Sequence, residues 1–201
     1  QLTVERLQPL IELEDIYIVT NQSYRELVKE QLPGLPAENI LAEPMARNTA
    51  PCIAWAAWHV AARDPEASIV VTPSDHLITR EAEFTRSLLD GFDFVEARDA
   101  LLTLGISPTR PETGYGYIQV GDQVEGDFSK VKTFTEKPNL ELAKVFLATG
   151  EFFWNSGIFL WTAASIQRAI RRHVPDIAAV FDSAEPATKN ANLSTSHIPA
   201  A

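Results

Sequence analysis

The sequence predicts a single α/β domain in which a mixed, mostly parallel sheet is covered by helices on both faces. Three observations lead to this class. The 201 residues suffice for one sizeable core but not comfortably for two. Hydrophobic residues make up 45% and charged residues 22%, as in ordinary globular proteins. Short apolar runs alternate with helical patterns along the first half, which favours parallel strands joined by helical crossovers.

The first half contains four predicted strands with three predicted helices between them. The strands are short apolar runs at residues 16–20, 40–41, 68–72 and 101–106. The first helix is expected to start at Ser23, because Glu26 three residues later completes a capping box. Pro51 suits the first turn of the second helix, which is apolar on nearly every face and is therefore expected inside the domain. The apolar positions of the third helix recur at helical spacing: Phe84, Leu88, Leu89, Phe92 and Val95.

The second half is richer in strands and turns, which indicates a mixed sheet or a second layer. Strands are expected at residues 116–120, 131–135 and 158–161. One helix should run from a cap at Asn139 to Gly150, a residue suited to a helix C-terminus. A further helix is expected over residues 163–173, and the tail after Ser183 carries no clear signal. In sheets of this class, ligands bind at the carboxyl ends of the strands.

Composition excludes several functions. The sequence has 17 Lys and Arg against 27 Asp and Glu, which gives a formal net charge of −10. Its largest basic cluster consists of Arg168, Arg171 and Arg172. Nucleic-acid binding is therefore not expected. Cys52 is the only cysteine, which rules out an intrachain disulfide and favours a reducing compartment. No apolar run approaches the roughly 20 residues of a membrane span, and no signal peptide opens the chain. We therefore expect a soluble cytoplasmic protein without a membrane partner.

Asp75 is the first candidate for chemistry, because it directly follows the predicted strand at residues 68–72. A carboxylate at a strand tip suits Mg²⁺, which screens phosphate charge. The alternative is that Asp75 caps the next helix.

The loop at residues 43–49 joins a strand to a helix that opens with Asn48 or Thr49. Free N–H groups at a helix start, with Arg47 nearby, could bind a heterocycle edge or an anion. The alternative is an ordinary capped helix start. In the TGYGY segment at residues 113–117, glycine either admits a ligand close to the backbone or supplies a turn conformation.

Two further segments carry polar groups near strand ends. Glu136 and Lys137 follow a strand, where a carboxylate can accept from sugar hydroxyls and an ammonium can meet a phosphate; the alternative is a solvated turn. Asn155 stands inside an aromatic run, and its amide either braces a loop or faces a ligand.

Taken together, five stretches resemble the bacterial-type mannose-1-phosphate guanylyltransferases, also called GDP-mannose pyrophosphorylases. They are EPMARNTAP (43–51), TPSDH (72–76), GISPTRPETGYGYI (105–118), FTEKP (134–138) and FFWNSGIFLW (152–161). Their order and spacing agree with the family over about residues 1–180. In combination they are far more specific than any one of them.

The resemblance implies a Rossmann-like nucleotide-binding fold of the glycosyltransferase-A type. It also implies a reaction of GTP with mannose 1-phosphate that yields GDP-mannose and pyrophosphate. Asp75 would ligate Mg²⁺ and, with Lys137 at the sugar phosphate, would be catalytic. The guanine end would lie near Glu43, Arg47, Asn48 and Thr49. The mannose would lie among Gly116, Glu136 and Asn155. A homodimer is the oligomeric state that the family favours.

The sequence departs from the family pattern at both ends. Family members begin with a signature GGxGxRLWPLSR followed by PKQF, which cradles the triphosphate, whereas this sequence opens with QLTV. A later SIDY-like segment, whose Asp would be a second metal ligand, has no match in residues 182–201. We therefore expect residues 1–201 to be an incomplete nucleotidyltransferase domain that turns over poorly by itself; full pyrophosphate release by a 201-residue chain would contradict this.

Three other functions remain open at this stage. A nucleotidyltransferase for another sugar 1-phosphate or base would share the architecture, and turnover of GTP, UTP, dTTP and ATP would separate them. A non-catalytic sugar-nucleotide-binding regulatory subunit would bind GDP-mannose without Mg²⁺-dependent turnover. A structural domain without a ligand is the third alternative.

Overall fold

The computed structural model describes residues 1–45 and 48–183. Their contacts divide the chain into two compact units, whereas the sequence led us to expect a single core. Within the described residues, the first unit comprises Gln1–Leu102 and residues 160–183, and the second comprises Thr103–Phe159.

Helices and strands alternate through the described residues. The helices are α1 Leu2–Leu7, α2 Arg25–Gln31, α3 Thr49–Arg63, α4 Glu81–Glu96, α5 Leu140–Thr149, α6 Ala163–His173 and α7 Pro175–Asp182. The strands are β1 Ile18–Asn21, β2 Ile40–Glu43, β3 Ser68–Val71, β4 Leu102–Ile106, β5 Tyr117–Glu125, β6 Phe128–Thr135 and β7 Phe152–Thr162. Short 3-10 turns occur at Leu13–Asp15, Gln22–Tyr24 and Ala37–Asn39.

Two sheets carry these strands. β1 and β2 form a parallel pair in which Ile18 stands opposite Ile40 and Asn21 opposite Glu43. The larger sheet has the order β3-β7-β5-β6, with β4 also paired to β7. β5 is antiparallel to both β6 and β7. The α/β class is confirmed, and the strand-rich second half is mixed as expected.

Helix packing forms much of the first unit. α3 packs against α6 and α7, as its apolar composition predicts. Trp58 of α3 is 7% exposed, its ring centroid lies 5.8 Å from that of Phe181, and its Nε1 donates to Asp182 over 2.9 Å. Arg171 donates to both oxygens of the same carboxylate, at 2.8 and 3.0 Å. These contacts hold α7 on the two longer helices.

The core of the second unit lies between α5 and the strands β5 and β7. It contains Tyr117, Ala143, Phe146, Phe152 and Trp154. The rings of Phe146 and Phe152 are stacked at 3.8 Å, a contact that adds about 1 kcal/mol to their burial. The ends of α5 are as predicted, since the Asn139 side chain accepts from the Leu142 N–H over 2.9 Å and Gly150 has a φ of 71°.

The predicted helix cap at Ser23 is wrong. Ser23 does not cap a helix: the Asn21 side chain instead accepts from the Ser23 N–H over 2.9 Å, and α2 begins two residues later. Asparagine forms such local bonds readily, which displaces the expected cap. Leu89 is 49% exposed on α4, and every residue of β3 is partly exposed, because a helical or β-branched pattern does not report how completely a face is covered.

No helix among the described residues is both long and apolar enough to cross a membrane.

Candidate functional site

Asp75 lies in an exposed turn between β3 and α4. Its alternative role as a helix cap is wrong, because α4 begins only at Glu81 and the N-cap residue is Arg80. The Thr3 hydroxyl ties this turn to α1 by donating to the Ser74 carbonyl oxygen over 3.0 Å. In the part of the chain that the structure describes, no hydrogen bond or ion pair engages the Asp75 carboxylate. That carboxylate is therefore open to an added ligand.

A magnesium ion at Asp75 would not find a preformed protein cage. The described residues contain no group of three or more His, Cys, Asp and Glu side chains that could hold a metal. Mg²⁺ sites often use one or two carboxylates together with substrate phosphates and water. A single exposed and unengaged carboxylate fits that kind of site.

Glu43 ends β2 with its side chain buried. The residue is 8% exposed, and Oε1 has no hydrogen-bond partner among the described residues. Burial raises the pKa of Glu43. Burial, followed by the charge of Glu43, also raises the pKa of the Cys52 thiol to about 11, so this thiol stays protonated at neutral pH and is a poor nucleophile. A buried oxygen without a donor is costly, so Glu43 suits a ligand that brings an N–H group.

The start of α3 is not an ordinary capped helix. Its N-cap residue Asn48 makes no side-chain cap bond and has φ 68° and ψ −176°, a region that residues other than glycine rarely adopt. The first-turn N–H groups of Thr49 and Ala50 have no acceptor within a helix, and Pro51 carries no N–H. Arg47, which was predicted to act beside them, lies outside the described residues.

Strand register brings three predicted residues together in the second unit. The first residue of β5 stands opposite the last residue of β6 on one side and opposite Trp154 of β7 on the other. Antiparallel pairing then places Gly116 beside both Glu136 and Asn155. The Asn155 N–H donates to the Gly116 carbonyl oxygen over 2.8 Å. We call Gly116, Glu136 and Asn155 the strand-end cradle.

Gly116 is needed for close approach rather than for a turn conformation. The described glycines with positive φ are Gly126, Gly150 and Gly157. A Cβ atom at Gly116 would lie 2.8 Å from Glu136 Oε2, a distance that real Cβ atoms do not show. The glycine therefore leaves room for the carboxylate against the backbone.

Asn155 braces a loop, which is one of the two roles that the sequence left open. Its Oδ1 accepts from the Gly157 N–H over 3.1 Å and from the Thr103 hydroxyl over 3.4 Å, which braces β7 against β4. Across the described part of the chain, its Nδ2 makes no hydrogen bond. One end of the amide is held, and the other end can donate to a ligand.

Lys137 directly follows the cradle residue Glu136. It has a φ of 42°, and its Nζ lies 3.5 Å from Glu136 Oε1. The side chains are 63% and 72% exposed for the lysine and the glutamate, so the pair is solvated, as the alternative held. An exposed ammonium of this kind is also accessible to a phosphate group.

A family model described as nucleotidyl transferase matches residues 1–195. The chain belongs to the nucleotidyl transferase family. It is 39% identical over 192 residues to a mannose-1-phosphate guanylyltransferase of Escherichia coli K12, covering 92% of this chain and 40% of that protein. It is 42% identical over 170 residues to a mannose-1-phosphate guanylyltransferase of Sinorhizobium fredii, covering 83% of this chain and 33% of that protein. The resemblance found in the motifs is confirmed. The chain thus spans 40% or less of these curated relatives.

Two solved structures have a similar fold. A crystal structure titled mannose-1-phosphate geranyltransferase, from Thermus thermophilus, matches with a TM-score of 0.83 and 27% identity, over 94% of this chain and 56% of that one. A crystal structure titled mannose-6-phosphate isomerase, from Helicobacter pylori, matches with a TM-score of 0.75 and 29% identity, over 90% of this chain and 68% of that one.

Glu112 was not among the predicted site residues, although its side chain makes several hydrogen bonds. Glu112 lies in the loop before β5, and its carboxylate accepts from the N–H groups of Thr113 and Gly114. Thr103, which holds Asn155, was missed as well. A carboxylate just before a turn was the available signal for Glu112, whereas nothing local marks Thr103, because its partner lies 52 residues away.

Proposed function

We propose that this protein joins GTP and mannose 1-phosphate to form GDP-mannose and pyrophosphate. The observation that carries the proposal is the strand-end cradle, which brings together a carboxylate and an amide N–H₂ that has no acceptor in the described chain. Membership of the nucleotidyl transferase family and the names of the relatives support the reaction class.

The mannose 1-phosphate would bind at the cradle. Glu136 Oε2 has no hydrogen-bond donor within the described chain and can accept from sugar hydroxyls, while Asn155 Nδ2 can donate to them. Gly116 lets the Glu136 carboxylate lie close to the backbone, at the point where the sugar would bind. Lys137 would meet the phosphate as a point charge. All four residues belong to the second unit.

The nucleotide would bind through residues of the first unit. Guanine presents N–H donors on its pairing edge, and the buried Glu43 oxygen is an acceptor without a donor. Free N–H groups at the start of α3, near Asn48 and Thr49, can bind an acceptor of the ligand. Arg47 would act beside them.

Asp75 would hold Mg²⁺ together with phosphate oxygens of GTP. When bound, the ion would supply positive charge that offsets the phosphates in a chain of net charge −10. The phosphate oxygen of mannose 1-phosphate forms a bond to the α-phosphorus, and the bond from that phosphorus to pyrophosphate breaks. No protein nucleophile is required, because positioning and charge neutralisation suffice for such a transfer.

The oligomeric state and the compartment of the protein are also part of the proposal. We propose a homodimer in the cytoplasm. A lone, half-buried cysteine suits a reducing compartment.

The test is Mg²⁺-dependent pyrophosphate release by the protein expressed together with whatever the gene encodes on either side of residues 1–201, with mannose 1-phosphate and, in parallel, GTP, UTP, dTTP or ATP. A clear preference for GTP is expected, with lower turnover when glucose 1-phosphate replaces mannose 1-phosphate. Equal use of the four nucleotides would contradict the guanine assignment. Binding of GDP-mannose without any pyrophosphate release would favour a regulatory binding subunit instead.

A further inference from the structure

The loop at residues 107–116 ends at Gly116 of the strand-end cradle, and one carboxylate organises it. Glu112 Oε1 accepts from the N–H groups of Thr113 and Gly114, both at 3.0 Å. Glu112 Oε2 accepts from Nε and Nη2 of Arg110, at 3.2 and 3.0 Å. The Gly114 N–H, followed by Arg110, lowers the pKa of Glu112, so the charge persists through the neutral range.

The main chain of Glu112 is anchored to the core independently of its side chain. The Tyr117 hydroxyl accepts from the Glu112 N–H over 3.0 Å and donates to the Glu112 carbonyl oxygen over 2.9 Å. Tyr117 is fully buried in the core of the second unit. The carboxylate therefore projects from a rigid point, and the turn that follows takes its position from it.

Both sides of the loop also rest on Trp154, the neighbour of the cradle residue Asn155. The Arg110 guanidinium lies 5.3 Å from the centre of the Trp154 ring. The Tyr115 ring meets the same indole edge-on at 5.4 Å. Arg110 makes its contact while it is paired with Glu112, so the ion pair and the aromatic contact stabilise one loop conformation.

We propose that Glu112 is a positioning residue that sets the affinity of the sugar subsite by fixing the loop that ends at Gly116. This inference rests on the proposed function and extends it to a residue outside the cradle. Loss of the carboxylate would free the two turn N–H groups and Arg110, so the turn at residues 113–115 would no longer keep one position beside the cradle, whereas the Asn155 N–H would still hold the Gly116 carbonyl. The nucleotide residues Glu43, Asn48 and Thr49 lie in the other unit, so the effect should concern the sugar.

The experiment measures the dissociation constants of GDP-mannose and of GDP by titration calorimetry for the wild type, Glu112→Ala and Glu112→Gln. Glu112→Ala should weaken GDP-mannose by about tenfold or more and leave GDP within about twofold, because several charge-assisted hydrogen bonds are lost. Glutamine still accepts from both turn N–H groups, so Glu112→Gln should weaken GDP-mannose by only about threefold.

A matched control is Glu141→Gln on α5, which removes an exposed carboxylate that is paired with Lys144 in the same unit. It should change neither constant. If Glu112→Ala does not fold, Glu112→Gln decides alone. If the wild type binds GDP-mannose and the Glu112 variants bind it equally well, the role of Glu112 is refuted but the proposed function is not. A wild type that binds neither ligand overturns the proposed function, and this inference with it.

Discussion

Replacing Gly116 with alanine puts a methyl group where the Glu136 carboxylate lies. The new Cβ would stand 2.8 Å from Oε2, whereas ordinary contacts begin at 3.4 Å, so the carboxylate must move by at least 3.4 − 2.8 = 0.6 Å. The Glu136 side chain is 72% exposed and can swing into solvent. The stability of the fold should therefore change by less than about 1 kcal/mol.

Ligand binding should respond much more strongly than stability to Gly116→Ala. A hydrogen bond to a charged group contributes about 1.5–3 kcal/mol, so losing the one from Glu136 should weaken GDP-mannose by about tenfold to 100-fold. GDP lacks the mannose, and its affinity should stay within about twofold of the wild type. Titration calorimetry with the two ligands measures the difference, and thermal unfolding checks the fold.

Gly121→Ala is the matched control for this variant, because Gly121 lies on β5, the strand that Gly116 precedes. A Cβ there would meet Lys132 Cγ at 3.1 Å and the Lys130 carbonyl oxygen at 3.3 Å instead of a cradle residue. It should bind GDP-mannose as the wild type does. The reasoning is refuted if folded Gly116→Ala also binds GDP-mannose as tightly as the wild type.

Three further predictions follow from individual side chains. Asp75→Asn should lower Mg²⁺-dependent turnover by about 100-fold or more. The melting temperature should not change, since the exposed Asp75 carboxylate has no partner in the described chain. If the variant needs the same Mg²⁺ concentration as the wild type, the metal role of Asp75 is contradicted. Burial raises the pKa of Glu43 in the folded protein above its ordinary value of 4.5. Protonation of Glu43 therefore stabilises the fold. This contribution to the free energy of unfolding is fully present below pH 4.5 and is lost as the pH rises through the raised pKa. Over that pH range, the melting temperature of Glu43→Gln should decline less than that of the wild type. An equal decline in the two proteins would refute the raised pKa of Glu43. Lys137→Ala should raise the KM for mannose 1-phosphate by about tenfold. The control is Lys144→Ala, which removes a similarly exposed lysine that is also paired with a glutamate and should leave this KM unchanged. Equal KM values for the two variants would count against the contact between Lys137 and the phosphate.

Local signals predicted many of the elements correctly. α6 occupies the expected residues 163–173, and α5 ends at Gly150 as predicted, because caps and helical spacing act within a few residues. The same kind of signal misplaced the cap at Ser23, where Asn21 competes for the same N–H group. Periodicity identifies a face of a helix but not what covers it, and Leu89 is 49% exposed although it recurs at helical spacing on α4.

The sequence by itself determined the class of the fold, the order of its elements and the polar residues that follow its strands. The tertiary structure decided which of those residues meet. Gly116, Glu136 and Asn155 lie far apart along the chain, and only the pairing of β5 with both β6 and β7 puts them side by side. A slip of one residue in either pairing would turn the partner's side chains to the opposite face, so register, which depends on the whole sheet, is the physical origin of the cradle. The same holds for Glu43, because only folding shows that its oxygen is buried without a donor.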